Sequence, residues 1–548
     1  MAVISLQGVG VSAGQAAGPI VRVAEPLPPP PTGPAPTDPE AEAARIGPAA
    51  EAVAGELTTR AARLDGEPKA VLETTAAMAA DPALISSAEA LVRDGGLPAA
   101  RAVYEAAEKF AADLRALGGY LGERAKDVLD IRDRVVAELS GARPPGVPDL
   151  LEPAVLVARD LAPADTADLD PTLVLALVTE EGGPTSHTAI LARALRIPAV
   201  VACAGVLELD DSLGLHIDGD TGTITVQQGP IEVHAVERSP EPTWSGPGRT
   251  ADDVPIRLVA NVGSAADSAS AAEAGAEGIG LFRTEFCYLD AETEPTESAQ
   301  RTAYSEVLGA FPGKPVVVRS LDAGSDKPLP FLTGAGTEPN PALGVRGLRL
   351  GRVETGVLDR QLAAIAGAEA DSGAVVSVMA PMVATAEEAA WFADRARAAG
   401  ISRVGVMIEI PAAVLTAREV FEVVDFVSVG TNDLAQYVFA ADRMLGSLAT
   451  LNDPWQPALL RLLATLGDAA RETGFPVGVC GEAAGDPLLA PVLVGLGVTS
   501  LSMTAGALSS VGNRLASATS AQCAEAARIA LRSPDPTAAR AAVRESLG

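Results

Sequence analysis

The chain has 548 residues, which favours two to four domains over a single one. Hydrophobic residues make up 48% of the chain and aromatic residues 3%, so we expect a large, mainly aliphatic core and no wholesale disorder. The formal net charge of −30 disfavours nucleic acid and anionic membrane surfaces as partners. Local arginine clusters can still bind a small anion despite this overall charge.

The cysteines and the apolar runs indicate a cytoplasmic protein. The four cysteines stand far apart without a CxxC spacing, so we expect neither a disulfide framework nor a zinc site. The opening residues lack the basic and apolar regions of a signal peptide. No stretch approaches eighteen uninterrupted apolar residues, and we therefore expect no membrane span.

The first half of the chain predicts a mixed α/β domain that is interrupted by a helical insertion. A proline-rich break covers residues 25–39, and the pattern is helical over residues 40–140. Near the end of the helical region, Val128, Ile131 and Val135 form one apolar stripe. Short apolar strands follow, including AVLVA, LVLALVT, PAVVACAG and a hairpin whose turn is residues 218–222.

The second half predicts an eight-stranded β/α barrel over residues 254–548. Residues 238–253, rich in Pro and Gly, form the predicted linker before it. Near-continuous apolar strands then alternate with alanine-rich helices, which indicates a buried parallel sheet. The predicted strands are IRLVANV, GIGLF, VVV, VSVMAPM, VGVMI, FVSVG and PVGV, with a weaker eighth candidate at LRLGRV.

Polar side chains follow the predicted barrel strands, where active groups of such barrels lie. Any single one of these residues, taken alone, is better explained as a surface charge or a rim salt bridge. Five strand ends with polar groups of related chemistry are better explained by a site. These residues are Arg283, Arg319, Glu409, Asn432, Asp433 and Cys480, with Arg346 and Arg443 in nearby segments.

The residue types at these strand ends suit a phosphorylated, carboxylated substrate. Guanidinium groups present planar forks to phosphate and carboxylate oxygens. The carboxylates of Glu409 and Asp433 can hold a hard cation such as Mg²⁺. A thiol at Cys480, close to cations, can exchange a proton.

A second candidate site lies in the segment EEGGPTSHTAIL. Gly182 and Gly183 permit a tight turn, and Thr185 or Ser186 can cap a helix that follows. His187 then lies in the first helical turn, where the helix dipole disfavours imidazolium and favours a bound anion. A neutral imidazole is the nucleophilic form of histidine, so His187 is a candidate nucleophile.

Other residues of reactive type are interpreted as structural. Cys203 and Cys523 are predicted to be small buried side chains, and His216 and His234 are predicted to be structural histidines. The role of Cys287 is left open.

Several motifs together resemble a known family. GGPTSHTAILAR resembles the phosphohistidine motif of the enzymes that interconvert phosphoenolpyruvate and pyruvate, and GIGLFRTEFCYLD, SVGTNDLAQYVFAADR and GVCGEAAGD resemble their barrel motifs. The order of histidine domain, helical insertion and barrel resembles Enzyme I of the phosphoenolpyruvate:sugar phosphotransferase system. The resemblance runs from the opening GVGVSAGQAAG almost to the C-terminus.

The resemblance implies a phosphoenolpyruvate-protein phosphotransferase that starts sugar transport by this system. His187 would be the phosphorylated nucleophile, and Cys480 would protonate the methylene carbon of the enolate. Mg²⁺ would be held by Glu409 and Asp433. The substrate residues would be Arg283, Arg319, Asn432, Asp433 and Arg443, with Arg346 as a weaker candidate.

The resemblance also implies the domains and their partners. Residues 1–24 and 145–237 would form a swivelling phosphohistidine domain, and residues 40–140 would dock the carrier protein HPr. Residues 238–253 would be the linker, and the barrel, residues 254–548, would pair into a homodimer. Two features depart from the family pattern: Ala162 replaces a threonine that supports the histidine in many relatives, and the linker is short.

Two alternatives remain open at this point. A pyruvate phosphate dikinase or phosphoenolpyruvate synthase shares the histidine domain and the barrel, but it needs a large ATP-binding domain, and no Gly-rich nucleotide loop precedes His187. A non-catalytic regulator would not need the complete set of His187, barrel arginines, carboxylates and Cys480. Labelling by phosphoenolpyruvate with and without ATP separates these alternatives.

Overall fold

The computed structural model describes residues 4–548 except 13, 25–27, 63–66, 118–123, 143–145, 149, 151, 162–168, 184–185, 196, 230, 234–243, 289–290, 292, 325–328, 330, 333–337 and 444. The chain divides into two compact units. One comprises Met1–Glu237 with Met444–Thr450, and the other comprises Arg238–Arg443 with Leu451–Gly548.

The first unit contains an eight-stranded mixed sheet with the order β1-β8-β7-β3-β4-β5-β6-β2. Its centre, from β3 to β6, is parallel, and β4 and β5 are buried along their whole length. The predicted hairpin is confirmed, because β7 and β8 pair antiparallel around residues 218–222. The strands are β1 Ile4–Gln7, β2 Val9–Ser12, β3 Gln15–Arg22, β4 Ala154–Ala158, β5 Val174–Thr179, β6 Ala199–Val201, β7 Gly214–Asp218 and β8 Thr223–Gln227.

A helical bundle is inserted between β3 and β4. Its helices share one alanine-rich core, and the predicted stripe of Val128, Ile131 and Val135 is buried in it. Asp38 and Asp81 cap the first and fourth helices through their carboxylates. The helices are α1 Pro39–Ala43, α2 Ile46–Ala61, α3 Glu67–Ala79, α4 Pro82–Arg93, α5 Ala99–Leu117 and α6 Ala125–Ser140.

One further helix, α7 His187–Leu195, lies against the sheet of the first unit. Its buried face includes Ala189 and Ala192, which pack with Val9, Val11 and other apolar residues of the sheet. Because alanine side chains are short, the helix can approach the strands closely. The packing fixes where the helix begins relative to the strand ends.

The second unit contains a closed parallel barrel, which confirms the predicted fold class. Each strand pairs with the next in chain order, and the last strand pairs with the first. The strands are β9 Arg257–Val262, β10 Ile279–Arg283, β11 Pro315–Arg319, β12 Val375–Ala380, β13 Arg403–Ile408, β14 Phe426–Val429, β15 Val477–Val479 and β16 Ser500–Met503.

Helices surround this barrel and share one large hydrophobic core with its strands. Several begin at a side-chain cap, such as Ser264, Thr296 and Thr385. The helices are α8 Ala265–Glu273, α9 Glu297–Leu308, α10 Leu348–Val353, α11 Thr355–Ser372, α12 Ala386–Ala398, α13 Pro411–Leu415, α14 Ala417–Phe421, α15 Thr431–Phe439, α16 Pro457–Thr473, α17 Leu489–Gly495, α18 Leu508–Ala516, α19 Ser520–Arg532 and α20 Pro536–Leu547.

The predicted eighth strand is wrong in its position. LRLGRV forms the helix α10, whose buried residues are Leu348 and Leu350, and the eighth strand is β16. β16 was not predicted because Ser500 and Ser502 interrupt its apolar pattern. It closes the barrel between β15 and β9.

Residues 244–253, the described part of the predicted linker, are hydrogen-bonded to the barrel unit. The Gly248 amide donates to Glu277 Oε1 at 2.9 Å, and the Ala251 amide donates to the carbonyl of Ala518 at 2.9 Å. The Ser520 hydroxyl donates to the carboxylate of Asp252. Residues 238–243 lie outside the described residues, and the predicted domain boundaries stay a prediction.

Two further findings concern the chain as a whole. In the part of the chain that the structure describes, no helix combines the length and the apolar character needed to cross a membrane. All four cysteines are free thiols, and Cys203 and Cys523 are buried as predicted, while Cys287 is half-buried.

Candidate functional site

The barrel places the predicted site residues at one rim, because parallel strands have their C-terminal ends on the same side. Arg283 and Arg319 are the last residues of β10 and β11. Glu409 directly follows β13, and Cys480 directly follows β15. Asn432 and Asp433 lie in the first turn of α15, immediately after β14.

Arg319 lies in a buried cluster with two carboxylates that the sequence analysis did not single out. Its Nη2 is 2.7 Å from Glu285 Oε1, and its Nη1 is 3.3 Å from Asp322 Oδ2. Burial lowers the pKa of Arg319, but the neighbouring carboxylates outweigh burial and raise it above its ordinary value. Arg319 is therefore a permanent positive charge in the barrel rim.

Arg346 is also buried, and carboxylates occupy its guanidinium group. It contacts Asp322 through two nitrogens, at 3.2 and 3.1 Å, and its Nη1 is 3.0 Å from Asp433 Oδ1. The other oxygen of Asp433 lies 3.3 Å from Nη1 of Arg443. Asp322, Arg346, Asp433 and Arg443 thus form a row of alternating charges, in which the guanidinium of Arg346 lies between two carboxylates.

Arg283 differs from the other arginines because its surroundings oppose its charge. Burial, followed by the positive charge of Arg319, lowers the pKa of Arg283. The guanidinium carbon lies 5.3 Å from the centre of the Phe286 ring. An anion bound between Arg283 and Arg319 would relieve the repulsion between the two cations.

Glu409 is fully buried, and one of its oxygens is held in place while the other is not. Oε2 accepts a hydrogen bond from the Met382 amide at 2.8 Å. Burial, with the negative charges of Asp433 and Asp322, raises the pKa of Glu409 to about 8. Gly430 leaves room beside this carboxylate, since a Cβ there would lie 2.5 Å from Glu409 Oε1.

The carboxylates of Glu409 and Asp433 are the candidate ligands for a magnesium ion. Oε1 of Glu409 is a buried acceptor without a hydrogen-bond partner, and a cation would satisfy it. Among the described residues there is no group of three or more His, Cys, Asp or Glu side chains that could hold a metal alone. Mg²⁺ commonly takes one or two carboxylates and completes its shell with water and substrate oxygens. Glu409 and Asp433 provide two such carboxylates, and the Asp433 oxygens also contact Arg346 and Arg443.

The Cys480 thiol is buried beside this cluster. Its Sγ lies 3.5 Å from the carbonyl of Val429, and burial raises the pKa of the thiol to about 12. The carbonyl of Cys480 accepts a hydrogen bond from Asn261 Nδ2 at 3.0 Å. Asn432 holds the following loop, because its Oδ1 accepts from the Glu482 amide at 3.2 Å.

Unsatisfied polar atoms mark the centre of this rim. Within the described parts of the chain, the barrel mouth contains several buried nitrogens and oxygens that lack a hydrogen-bond partner. Buried polar atoms are normally paired, so such a concentration points to an absent polar ligand. The atoms are Arg283 Nε, Glu285 Oε2, Arg319 Nε, Glu409 Oε1 and Thr431 Oγ1.

The second candidate site lies at the start of α7, in the first unit. The helix begins at His187, and the Ser186 hydroxyl accepts a hydrogen bond from the Ala189 amide at 3.2 Å, which is a helix cap. Gly182 has a φ of +97°, so the turn before the helix requires a glycine there. Thr185 and Ala162 lie outside the described residues. The backbone N–H groups of a helix start favour an anion, as predicted for His187.

Glu285 and Asp322 were missed, although the sequence contains a signal for both. Each lies within three residues of a strand end that carries an arginine, Arg283 or Arg319. A buried arginine needs a counter-ion, and the nearest acidic residue in the following loop is the obvious candidate. A search for such pairs would have found them.

Taken together, a parallel barrel with buried arginines, carboxylates and a thiol at its C-terminal rim defines an enzyme site for a small polyanion. The chain belongs to the PEP-utilising enzyme family. It matches three family models: PEP-utilising enzyme, N-terminal, over residues 7–124; the mobile domain, over residues 150–222; and the PEP-binding domain, over residues 245–520.

Two phosphotransferases of similar sequence support this membership. A phosphoenolpyruvate-protein phosphotransferase of Streptomyces coelicolor is 51% identical, with 99% of each chain covered. A protein of the same name from Haloferax volcanii is 41% identical, with 81% of each chain covered. A solution structure of Enzyme I (nEIt) is 32% identical over 41% of this chain and 94% of that chain, with a TM-score of 0.37.

Proposed function

We propose that this chain is a phosphoenolpyruvate-protein phosphotransferase. It transfers the phosphoryl group of phosphoenolpyruvate to His187 and then to HPr, and releases pyruvate, as the first step of a sugar phosphotransferase system. The observation that carries the proposal is the barrel rim, where cationic and acidic side chains and a protonated thiol surround unpartnered buried atoms. The curated relatives, which carry this name, support it.

The arginines bind the two anionic groups of the substrate. Arg283 and Arg319 each have an unpartnered Nε, and they supply planar donors for phosphate and carboxylate oxygens. Arg443 and Asn432 are the other residues that bind the substrate. Arg346 contributes less to the binding, because its guanidinium already contacts Asp322 and Asp433.

Glu409 and Asp433 would hold Mg²⁺. When bound, the ion neutralises charge on the phosphoryl oxygens and helps to orient the substrate. The unpartnered Oε1 of Glu409 supports this assignment.

The chain's own residues carry out the transfer in two reactions, first to His187 and then to HPr. A neutral ring nitrogen of His187 attacks phosphorus, so a P–N bond forms while the bond between phosphorus and the enol oxygen breaks. The electron pair left on that oxygen becomes the carbonyl of pyruvate as the methylene carbon takes the proton of Cys480. The Cys480 thiolate then regains a proton from water. In the second reaction the P–N bond of His187 breaks as the acceptor side chain of HPr takes the phosphoryl group.

The partners follow from the same proposal. The helical insertion, residues 40–140, docks HPr, and the barrel pairs with a second copy in a homodimer. The free thiols support a reducing, cytoplasmic location.

Labelling with phosphoenolpyruvate that carries a radioactive phosphate tests the proposal. With Mg²⁺ and without ATP, the wild-type chain should acquire an acid-labile, alkali-stable label. His187→Ala should abolish the label, because the P–N bond that holds the labelled phosphoryl group forms on the His187 ring. His216→Ala is the matched control and should label normally. His216 lies in β7, and its exposed side chain contacts Gln227 of the neighbouring strand β8.

Three results would contradict the proposal. Labelling that requires ATP would indicate a dikinase or a synthase. No labelling of a folded chain would indicate a non-catalytic regulator. Persistent labelling of His187→Ala would mean that another residue carries the phosphate.

A further inference from the structure

Gln361 is a buried glutamine of α11 that contacts the ends of two barrel strands. Its side chain is 1% exposed. Oε1 accepts a hydrogen bond from the Leu321 amide at 2.9 Å, and Nε2 donates to the hydroxyl of Thr284 at 3.1 Å. Thr284 in turn donates to the carbonyl of Arg319 at 2.9 Å. One side-chain amide therefore connects the loop after β10 to the loop after β11.

These two loops carry the residues that face the proposed substrate. Thr284 lies between Arg283 and Glu285, and Leu321 directly precedes Asp322. A second link crosses the same gap on the substrate side, since Glu285 Oε1 accepts from the Asp322 amide at 3.0 Å. Two separate contacts thus fix the spacing of the two strand ends. Gln361 contributes one from the helix α11, and Glu285 contributes the other from within the loop after β10.

The orientation of the Gln361 amide is itself fixed by its neighbours. Because the Leu321 amide can only donate, Oε1 must face it, and Nε2 then has two hydrogens, for Thr284 and for the Tyr304 hydroxyl at 3.2 Å. Behind Tyr304, the hydroxyl of Tyr288 donates to Gln300 Oε1 at 2.7 Å. Buried networks in which every member is satisfied are rigid.

We propose that Gln361 is a positioning residue that sets the distance between Arg283 and Arg319 for binding of phosphoenolpyruvate. The inference rests on the proposed function, since it assumes that these arginines bind that substrate. Gln361 has no place in the chemical steps, and it acts only through Thr284 and Leu321. Its loss should weaken binding of phosphoenolpyruvate and leave the reaction between His187 and HPr unchanged.

The test compares two buried glutamines of one network. Gln361→Met removes the links to both strand ends, and Gln300→Met is the matched control, because the Gln300 side chain contacts Tyr288, Tyr304 and the carbonyl of Pro295 and no strand end. For Gln361→Met we expect the KM for phosphoenolpyruvate to rise about tenfold or more, the loss that one misplaced charged contact produces. For Gln300→Met we expect a similar loss of thermal stability and a nearly unchanged KM.

Gln361→Glu gives a second measurement with its own pH signature. A protonated carboxyl can accept from Leu321 and donate to Thr284, as the amide does, whereas an ionised one cannot donate. The ratio of its KM to that of the wild type should therefore fall towards one as the pH is lowered, while the ratio for Gln361→Met should not depend on pH. This measurement also decides the matter if Gln361→Met does not fold.

Defined results overturn the inference. Equal KM changes in Gln361→Met and Gln300→Met, or no change in either folded variant, would mean that Gln361 is only structural. A pH-independent ratio for Gln361→Glu would mean the same. Failure of the proposed function is recognised separately, because the wild-type chain would then not label from phosphoenolpyruvate at all.

Discussion

At the residue scale, the protonation state of the Cys480 thiol follows from its buried position at the barrel rim. The thiol is 4% exposed, and burial raises its pKa to about 12. A group with a raised pKa keeps its proton until the pH approaches that value, so Cys480 is a thiol at neutral pH and not a thiolate. It is therefore in the form that a proton donor needs.

We expect Cys480→Ala to slow pyruvate formation from phosphoenolpyruvate by about 10²–10⁴-fold, the usual contribution of a positioned acid. Transfer between His187 and HPr should persist, because that reaction makes no carbon–hydrogen bond. In the wild-type chain, Cys480 should cause no loss of pyruvate formation as the pH rises from 7 to about 9, since it stays protonated throughout. Stopped-flow assays of pyruvate release and of phospho-HPr exchange measure the two reactions.

The matched control is Cys523→Ala, which removes a buried thiol from α19. It should leave both reactions unchanged. Equal damage to both reactions by Cys480→Ala would contradict the acid role.

The sequence could predict that the candidate site residues lie at one rim of the barrel, but it could not predict their pairing. Arg346 was predicted as a weaker candidate for the substrate, and the sequence did not indicate that its guanidinium contacts Asp322 and Asp433. Charge and type are properties of one residue, whereas a contact depends on the distance between elements that are far apart in the chain. Gln361 shows this most clearly, since its sequence context is that of an ordinary helix residue and only packing brings it to Thr284.

At the element scale, one glycine determines how closely the helix α16 approaches the end of the helix α17. Gly467 lies in the middle of α16, and a Cβ there would be 1.7 Å from the carbonyl oxygen of Leu496, just after α17. Backbone atoms cannot move aside as a flexible side chain can. The close packing of α16 against the end of α17 therefore requires a glycine at this position.

We expect Gly467→Ala to lower the free energy of unfolding of the barrel unit by about 1–3 kcal/mol or more, the usual cost of overpacking. Gly351→Ala in α10 is the matched control, because its new Cβ would be 3.4 Å from its nearest neighbour, Leu358 Cδ2, an ordinary contact. That variant should gain about 0.5–1 kcal/mol from the helix preference of alanine. Thermal unfolding of both proteins measures the difference, and an unchanged or higher melting temperature for Gly467→Ala would contradict the steric argument.

The barrel as a class of fold could be predicted, while one of its strands could not. Seven strands have near-continuous apolar runs because both of their faces are buried. In β16, by contrast, two of the four residues are serines, and the structure gives the reason for one of them, since the Ser502 hydroxyl donates to Asn261 Oδ1 at 2.6 Å. Asn261 also holds the carbonyl of Cys480, so a polar residue in the strand supports the site at the cost of a recognisable pattern.

At the scale of the whole molecule, the two compact units hold different parts of the proposed reaction. His187 and the helical insertion belong to Met1–Glu237, and every proposed substrate and metal residue belongs to Arg238–Arg443 or Leu451–Gly548. Each unit has its own hydrophobic clusters. A unit with its own core can in general fold alone.

We therefore expect a fragment of residues 1–237 to fold and to accept phosphate from phosphorylated HPr. It should not label from phosphoenolpyruvate, because it lacks the arginines and the magnesium carboxylates. Circular dichroism shows whether the fragment folds, and autoradiography after each donor measures the label. The same fragment with His187→Ala is the control. Labelling by phosphoenolpyruvate would contradict this division, as would a folded fragment that does not react with phospho-HPr.

The closed barrel has a consequence for the synthesis of the protein on the ribosome. β9 pairs with β16, so the first barrel strand to be translated needs the last one as its neighbour. A nascent chain that ends before Met503 has an open sheet with two unpaired edges, which are exposed to other chains. The first unit, by contrast, possesses all eight of its strands once Gln227 has been added. The order of translation thus allows the unit that carries the histidine to complete its sheet well before the barrel can close.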